Sequence, residues 1–284
     1  MGNGKRVRLI SFGAGGEDYR NSARRVVRQS RVFREITESF ALDEQHLDSA
    51  FRKAFASIDP SASRGFGFWA WKPYLVRQHL QQLEYGDILI YLDGGAEVNP
   101  KGHSRFIEYL DITAQRGFLC FAMPYQHRNW CKKDPMLELG PEFYFRNQLS
   151  AAFFMLLKTE QTVKLVDLWY ELASASGGKL LQDGDTSHDQ LPDFKEHRHD
   201  QALLTVAAFK LNLVGQSPDE TYFDHWPEAK KFPFLLLRNR TGESVLNYRL
   251  SSGPRKFMMN VLMPFLARNV FKYHVRNIVR RLFG

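Results

Sequence analysis

Apolar positions along the chain fall into short blocks separated by polar and glycine-rich punctuation. Ile88–Leu92, "ILIYL", is an unbroken apolar run between Gly86 and Gly94, the pattern of a strand buried on both faces. Arg6–Phe12, Phe118–Met123 and Ala151–Leu157 read as further strands. Helical spacing fills the intervals. Ala23, Val26, Val27, Phe33 and Ile36 follow a glycine turn, and Leu75, Val76, Leu80 and Leu83 continue a helix opened by Pro73. Val163, Val166, Leu168 and Trp169 mark a helix over about 162–173. A helix over 200–210 and a strand at Leu211–Val214 complete the body, and the Gly-, Ser- and Asp-rich segment 174–193 reads as a loop. Strands alternating with helices, without an internal repeat, predict an α/β fold: a Rossmann-like, mainly parallel sheet flanked by helices.

The chain has 284 residues, 44% of them hydrophobic, enough for one large α/β domain. No run approaches the roughly 18–20 apolar residues needed to cross a bilayer. The start, "MGNGKRVRLISFG", reads as a first strand rather than a signal peptide. Two cysteines, Cys120 and Cys131, make neither a disulfide framework nor a zinc set, so a reducing cytoplasm is expected.

Charge changes the picture of the C-terminus. The net charge is +8, and no acid occurs from Pro254 onward. Seven of the 39 Lys and Arg lie in that tail, leaving 32 bases against 31 acids in the rest. Residues 1–250 therefore form a nearly neutral body, and 254–284 a basic segment. Within it Val275, Ile278, Val279 and Leu282 recur at helical spacing, while Arg268, Lys272, Arg276 and Arg280 repeat on another face. A basic amphipathic helix fits an anionic membrane surface; the plainer alternative is a docked terminal helix with its bases in water. No nucleic-acid motif accompanies the charge.

The candidate chemistry starts at "YLDGGAEV". Asp93 ends a core strand, Gly94 and Gly95 follow, and Glu97 comes next. Ligands of open α/β sheets bind beyond the carboxyl ends of the strands. A carboxylate there, beside bare backbone, suits a diphosphate bridged by Mg²⁺ or Mn²⁺. Asp-Gly-Gly is also ordinary turn material. Strand, "GAGG" turn and helix open the chain as a nucleotide-binding unit would, which puts Phe12 and Gly13 on the donor side, but the full dinucleotide fingerprint is missing. Asp183 and Asp185 form a literal Asp-x-Asp, in a polar loop with no strand to hold it.

"RGFGFWAWKPYLV", "GDILIYLDGGAEVN" and "EHRHDQALLTVAAFK" together resemble bacterial GT-A-type glycosyltransferases of capsule and lipopolysaccharide synthesis, over about residues 6–240. The resemblance implies a nucleotide-sugar donor and a glycan or lipid-linked glycan acceptor. In that family an Asp-x-Asp at this strand end holds the metal. Asp93 matches its first acid, but Gly95 stands where the second would be. Glu97 or His225 is left to supply a further metal ligand. Lys72 at a helix start, with Arg24, Arg25 or Arg28, is expected to meet the diphosphate, although a solvated helix face fits at least two of the arginines. The resemblance also puts Asp200 at the acceptor side as a candidate catalytic base, with His199 and Gln201 bonding sugar hydroxyls. A capping role for Asp200 is the simpler alternative, and a metal pair of His197 and His199 is disfavoured by their spacing on a helix. The expected activity is hexosyl transfer at the inner face of the cytoplasmic membrane. A non-catalytic glycan- or phospholipid-binding module and a sugar nucleotidyltransferase are the rivals.

Overall fold

The computed structural model describes residues 5–245, apart from 62, 138, 185–188 and 222–227. The chain divides into two units, Met1–Glu243 and Ser244–Gly284. The expected basic helix lies in the second, outside the described residues. Among those residues no helix is long and apolar enough to cross a membrane.

The strands are β1 (Val7–Phe12), β2 (Glu38–Leu42), β3 (Ile88–Leu92), β4 (Glu97–Val98), β5 (Phe118–Gln126), β6 (Asn147–Leu157) and β7 (Phe234–Leu235). The main helices are α1 (Glu17–Ser30), α2 (Ser49–Ala54), α3 (Trp71–Gln81), α4 (His103–Arg116), α5 (Glu160–Ser174) and α6 (His199–Lys210). Five strands form one sheet in the order β2-β1-β3-β6-β5, and β4 pairs with β7 in a second. β1, β2 and β3 are parallel. β6 runs against both β3 and β5, so β5 points the same way as the first three. The result is a mixed, mostly parallel, Rossmann-like sheet.

β3 explains its own unbroken apolar run. Successive side chains of a strand point to opposite faces. Leu89 and Tyr91 meet Leu75 and Val76 of α3, Trp169 of α5 and Leu203 of α6. Ile88, Ile90 and Leu92 meet Val26 of α1 and Phe106 and Tyr109 of α4. Both faces are core, and each large side chain fully buried there contributes about 1.5–3 kcal/mol relative to exposure.

Three features differ from the sequence expectation. β2 was not foreseen: it is an edge strand, and of its five residues only Leu42 is buried. α1 stops at Ser30, and Phe33 reaches the same core from the turn beyond it. Leu211–Val214 is not a strand but the C-terminal cap of α6. Asn212 adopts φ 54°. The amides of Asn212 and Leu213 bond the carbonyls of Phe209 (3.0 Å) and Ala208 (2.9 Å), closing the helix in a Schellman arrangement. Val214 then faces solvent, and the chain returns to the sheet only as a single bridge between Gln216 and Phe121.

Ahead of α3 the backbone turns left-handed. Arg64–Phe68 has helical hydrogen bonds, yet Gly65, Phe66, Gly67, Phe68 and Trp69 all have φ between 52° and 87°. Such a conformation costs a side-chain-bearing residue roughly 1–2 kcal/mol. Glycine at two of the five positions lightens that cost. The Trp71 indole N–H bonds the Gly65 carbonyl at 3.1 Å and fixes the turn to the start of α3. The next residue of that helix is Lys72.

Candidate active site

β3 delivers Asp93 to its carboxyl end. The Asp93 amide still bonds the Ala152 carbonyl of β6 at 2.8 Å, so the residue is held as an extension of the ladder. Two residues back on the same face, the Tyr91 hydroxyl donates to Asp93 Oδ1 at 2.6 Å. Asp93 keeps about a third of its side chain exposed, at 34%. No hydrogen bond to its other carboxylate oxygen occurs among the described residues.

Lys72 enters from the first turn of α3 with its side chain 3% exposed. Its ammonium lies 3.2 Å from Asp93 Oδ1 and 3.0 Å from Asp200 Oδ2. It also donates to the Ala151 carbonyl of β6 at 3.1 Å. Of its contacts, the one to the strand carbonyl is a hydrogen bond and the two to the carboxylates are ion pairs, Asp200 Oδ2 itself having no hydrogen-bond partner among the described residues. The rings of Tyr91 and Trp71, 4.9 and 5.5 Å from the nitrogen, complete its surroundings. Burial opposes the charge of Lys72, but Asp200 and Asp93 together outweigh it and hold the pKa above the usual lysine range.

Asp200 sits in the first turn of α6, where a carboxylate is favoured by the helix dipole. Its backbone carbonyl accepts the indole N–H of buried Trp169 at 2.9 Å. Burial pushes the Asp200 carboxyl up to about 6, and Asp93 adds to the rise while Lys72 resists it. With both acids ionised the trio carries one net negative charge, and the face it presents is Asp93.

The other expected residues divide into neighbours and scaffolding. Phe12 is buried and stacks on Trp71, ring centres 4.0 Å apart. At Gly13 a Cβ would lie 1.9 Å from the Tyr19 carbonyl oxygen. At Gly94 it would meet Ser22 Oγ at 2.9 Å, and at Gly95 the Cα of Arg238 at 3.3 Å. The missing side chains therefore make room for protein: α1 and the segment 238–243. Arg24 is half exposed and paired with Glu17 at 2.8 Å. Arg28 bonds the Gly242 carbonyl at 2.8 Å. Arg25 is fully buried and paired with buried Glu97 at 3.2 Å.

His197 and His199 are structural in this arrangement. The His197 ring bonds the Leu180 carbonyl at 2.9 Å and accepts the Lys132 amide at 3.2 Å. The His199 ring bonds the Leu181 carbonyl at 2.6 Å through Nδ1 and receives Arg64 Nε on Nε2 at 2.8 Å. Burial lowers both pKa values, that of His199 to about 4. Gln201 donates to Gln148 at 2.6 Å and accepts the Ala151 amide at 3.4 Å, steadying the strand whose carbonyl holds Lys72. Asp183 pairs with Arg64 at 3.2 Å. His225 and Asp185 lie outside the described residues.

For a divalent cation, the exposed side of the trio offers the unengaged oxygen of Asp93. Glu97 is turned inward to Arg25, and Asp200 is held by Lys72. No group of three or more His, Cys, Asp or Glu suited to a metal occurs among the described residues. Mg²⁺ commonly binds through one or two carboxylates when substrate phosphates supply further oxygens. The residues thus fit a cation shared with a diphosphate, not one caged by protein alone. Tyr91, Trp169 and Gln148 are the site's unforeseen supports, while Arg25, expected at the diphosphate, instead holds backbone carbonyls behind the Asp93 turn. Only Tyr91 had a signal, since position i−2 on a strand shares a face with Asp93.

No family model and no curated protein matches the chain. Among solved structures, a glycosyltransferase involved in glycosylation of the major capsid of PBCV-1 is similar at 10% identity and a TM-score of 0.44, covering 85% of this chain and 96% of the other. Mouse xyloside xylosyltransferase 1 in its apo form follows at 12% identity and 0.39, covering 78% and 89%. The 4-diphosphocytidyl-2C-methyl-D-erythritol synthase of Anaerococcus prevotii DSM 20548 gives 13% identity and 0.30, covering 73% and 99%. At TM-scores this low, what the chain does must be argued from its own residues.

Proposed function

We propose that the chain transfers a glycosyl group, of the hexosyl class, from a nucleotide diphosphate sugar, UDP-linked, to a hydroxyl of a cell-surface glycan or its lipid-linked precursor. One observation carries this reading: two carboxylates, Asp93 and Asp200, are locked through one buried ammonium at the carboxyl end of a central strand. Asp93 meets the donor. A bound Mn²⁺ or Mg²⁺ on its outer oxygen would neutralise charge on the departing diphosphate. Lys72 keeps the two acids in register and limits their joint charge to minus one. Asp200, with its pKa raised to about 6, has the basicity suited to receiving a hydroxyl proton near neutral pH. The basic tail would rest on the anionic inner face of the cytoplasmic membrane and bring the site to an acceptor carried on a membrane lipid.

The test is calorimetry of the full chain with UDP, with and without Mn²⁺, followed by a donor screen read out by released nucleotide. Binding that strengthens with Mn²⁺ is expected, together with turnover lost in folded Asp93→Ala. Absence of nucleotide binding under both conditions would refute the reading, and full turnover in Asp93→Ala would remove Asp93 from the reaction.

A further inference from the structure

The turn after Asp93 is held from behind by a buried polar cage. The Ala96 amide closes the turn on the Asp93 carbonyl at 2.9 Å. The three carbonyls that follow Asp93 are then each engaged. Arg25 Nη2 donates to Gly94 O at 2.9 Å and Arg25 Nη1 to Ala96 O at 2.7 Å. The Asn239 amide takes Gly95 O at 2.9 Å. The same guanidinium reaches Asn239 O and Thr241 O, both at 3.0 Å, and Glu97 balances its charge. Asn239 in turn donates to Glu97 Oε1 at 2.5 Å and to Glu243 O at 2.7 Å. Its own Oδ1 accepts from the Thr241 amide and hydroxyl.

An apolar side chain could pack α1 on the sheet but would leave these carbonyls without donors. A fully buried arginine is used because four carbonyls from two distant segments need donors, and only a guanidinium presents five in a fixed fork. We infer that Arg25 is a positioning residue for Asp93, acting through the backbone of residues 94–96, and that the strap Arg238–Glu243 is the outer wall of the site. Rigidity is its contribution: with its carbonyls held, the turn can aim the Asp93 carboxylate only where Tyr91 and Lys72 also meet it. The consequence for turnover rests on the glycosyl-transfer reading; the hold on the turn does not.

The experiment uses the full chain with Arg25→Lys, and with Asn239→Ala in case the lysine variant fails to fold. Hydrogen exchange is followed in peptides covering 93–98 and 238–243. Exchange about tenfold faster there, with β1 and β5 unchanged, is expected for a locally loosened turn. For donor hydrolysis per folded molecule, kcat should fall about tenfold with KM within about threefold. Wild-type exchange at 93–98 in folded Asn239→Ala, or a rise spread evenly over the chain, would overturn the hold on the turn. Unchanged kcat with a loosened turn would overturn the positioning role. A wild-type chain without nucleotide binding would refute glycosyl transfer, while the exchange measurement still decides what Arg25 and Asn239 hold.

Discussion

Lys72 is the residue on which the site depends. Its buried ammonium is ion-paired with two carboxylates and hydrogen-bonded to a strand carbonyl, so it joins the two acids. Removing one member of a buried ion pair strands the other, at a cost of about 3–5 kcal/mol. Lys72→Met should therefore lose that much in urea unfolding, and adding Asp200→Asn should recover a large part of it. A double variant no more stable than Lys72→Met would show that the two are not energetically linked. The pH dependence has a definite sign. The folded pKa of Asp200, about 6, lies above its ordinary value of 3.8. Between those values the folded state holds the proton more tightly than the unfolded chain, so this group's contribution to stability falls as pH rises through that window. A tenfold difference in proton affinity between the two states corresponds to about 1.4 kcal/mol. Asp200→Asn should gain stability relative to wild type by roughly 2 kcal/mol more at pH 7 than at pH 4.5. Paired urea melts in EDTA check it; a pH-independent difference would contradict the assignment.

Among the elements, the left-handed turn before α3 is the least replaceable, because it sets where Lys72 begins. Gly67 has φ 87°, and a Cβ there would come within 3.1 Å of Ile58. Gly86 has φ 93° and nothing within 4 Å. Gly67→Ala should cost about 1–3 kcal/mol, and Gly86→Ala should stay at the lower end, near 1 kcal/mol, because it adds strain without a clash. Equal losses in urea melts would place the whole effect in the backbone. The elements also show what a sequence reveals. β3 and α5 were legible because burial on two faces, or on one helical stripe, writes itself into spacing. β2 was not, since an edge strand with one buried residue has little pattern to display. Leu211–Val214 misled because its apolar residues resemble a strand while Asn212 directs a helix cap. At the site, Asp93, Lys72 and Asp200 stood out as acids and a base at element ends. The roles of Gly94 and Gly95 did not, because the atoms that exclude their side chains come from Ser22 and Arg238, far away in sequence. Arg25 was one of three similar arginines until the fold buried it.

For the whole molecule, the distribution of charge matters more than its total. The body before Pro254 is nearly neutral, and the seven bases beyond it meet no acid in their own segment. Near an anionic leaflet each base contributes about 1 kcal/mol, and salt screens the attraction over about 10 Å at 0.1 M. A body with almost equal numbers of acids and bases gains little from such a field. The full chain should therefore co-sediment with vesicles containing phosphatidylserine at low salt, release as salt rises, and ignore neutral phosphatidylcholine vesicles. A chain ending at residue 253 should not bind either kind. Because Arg25, Glu97, Asn239 and the Asp93 turn all lie within Met1–Glu243, that shortened chain should retain nucleotide binding. Vesicle binding that survives the truncation would move the contact to the body. Nucleotide binding lost with the tail would mean that the site needs residues beyond the strap.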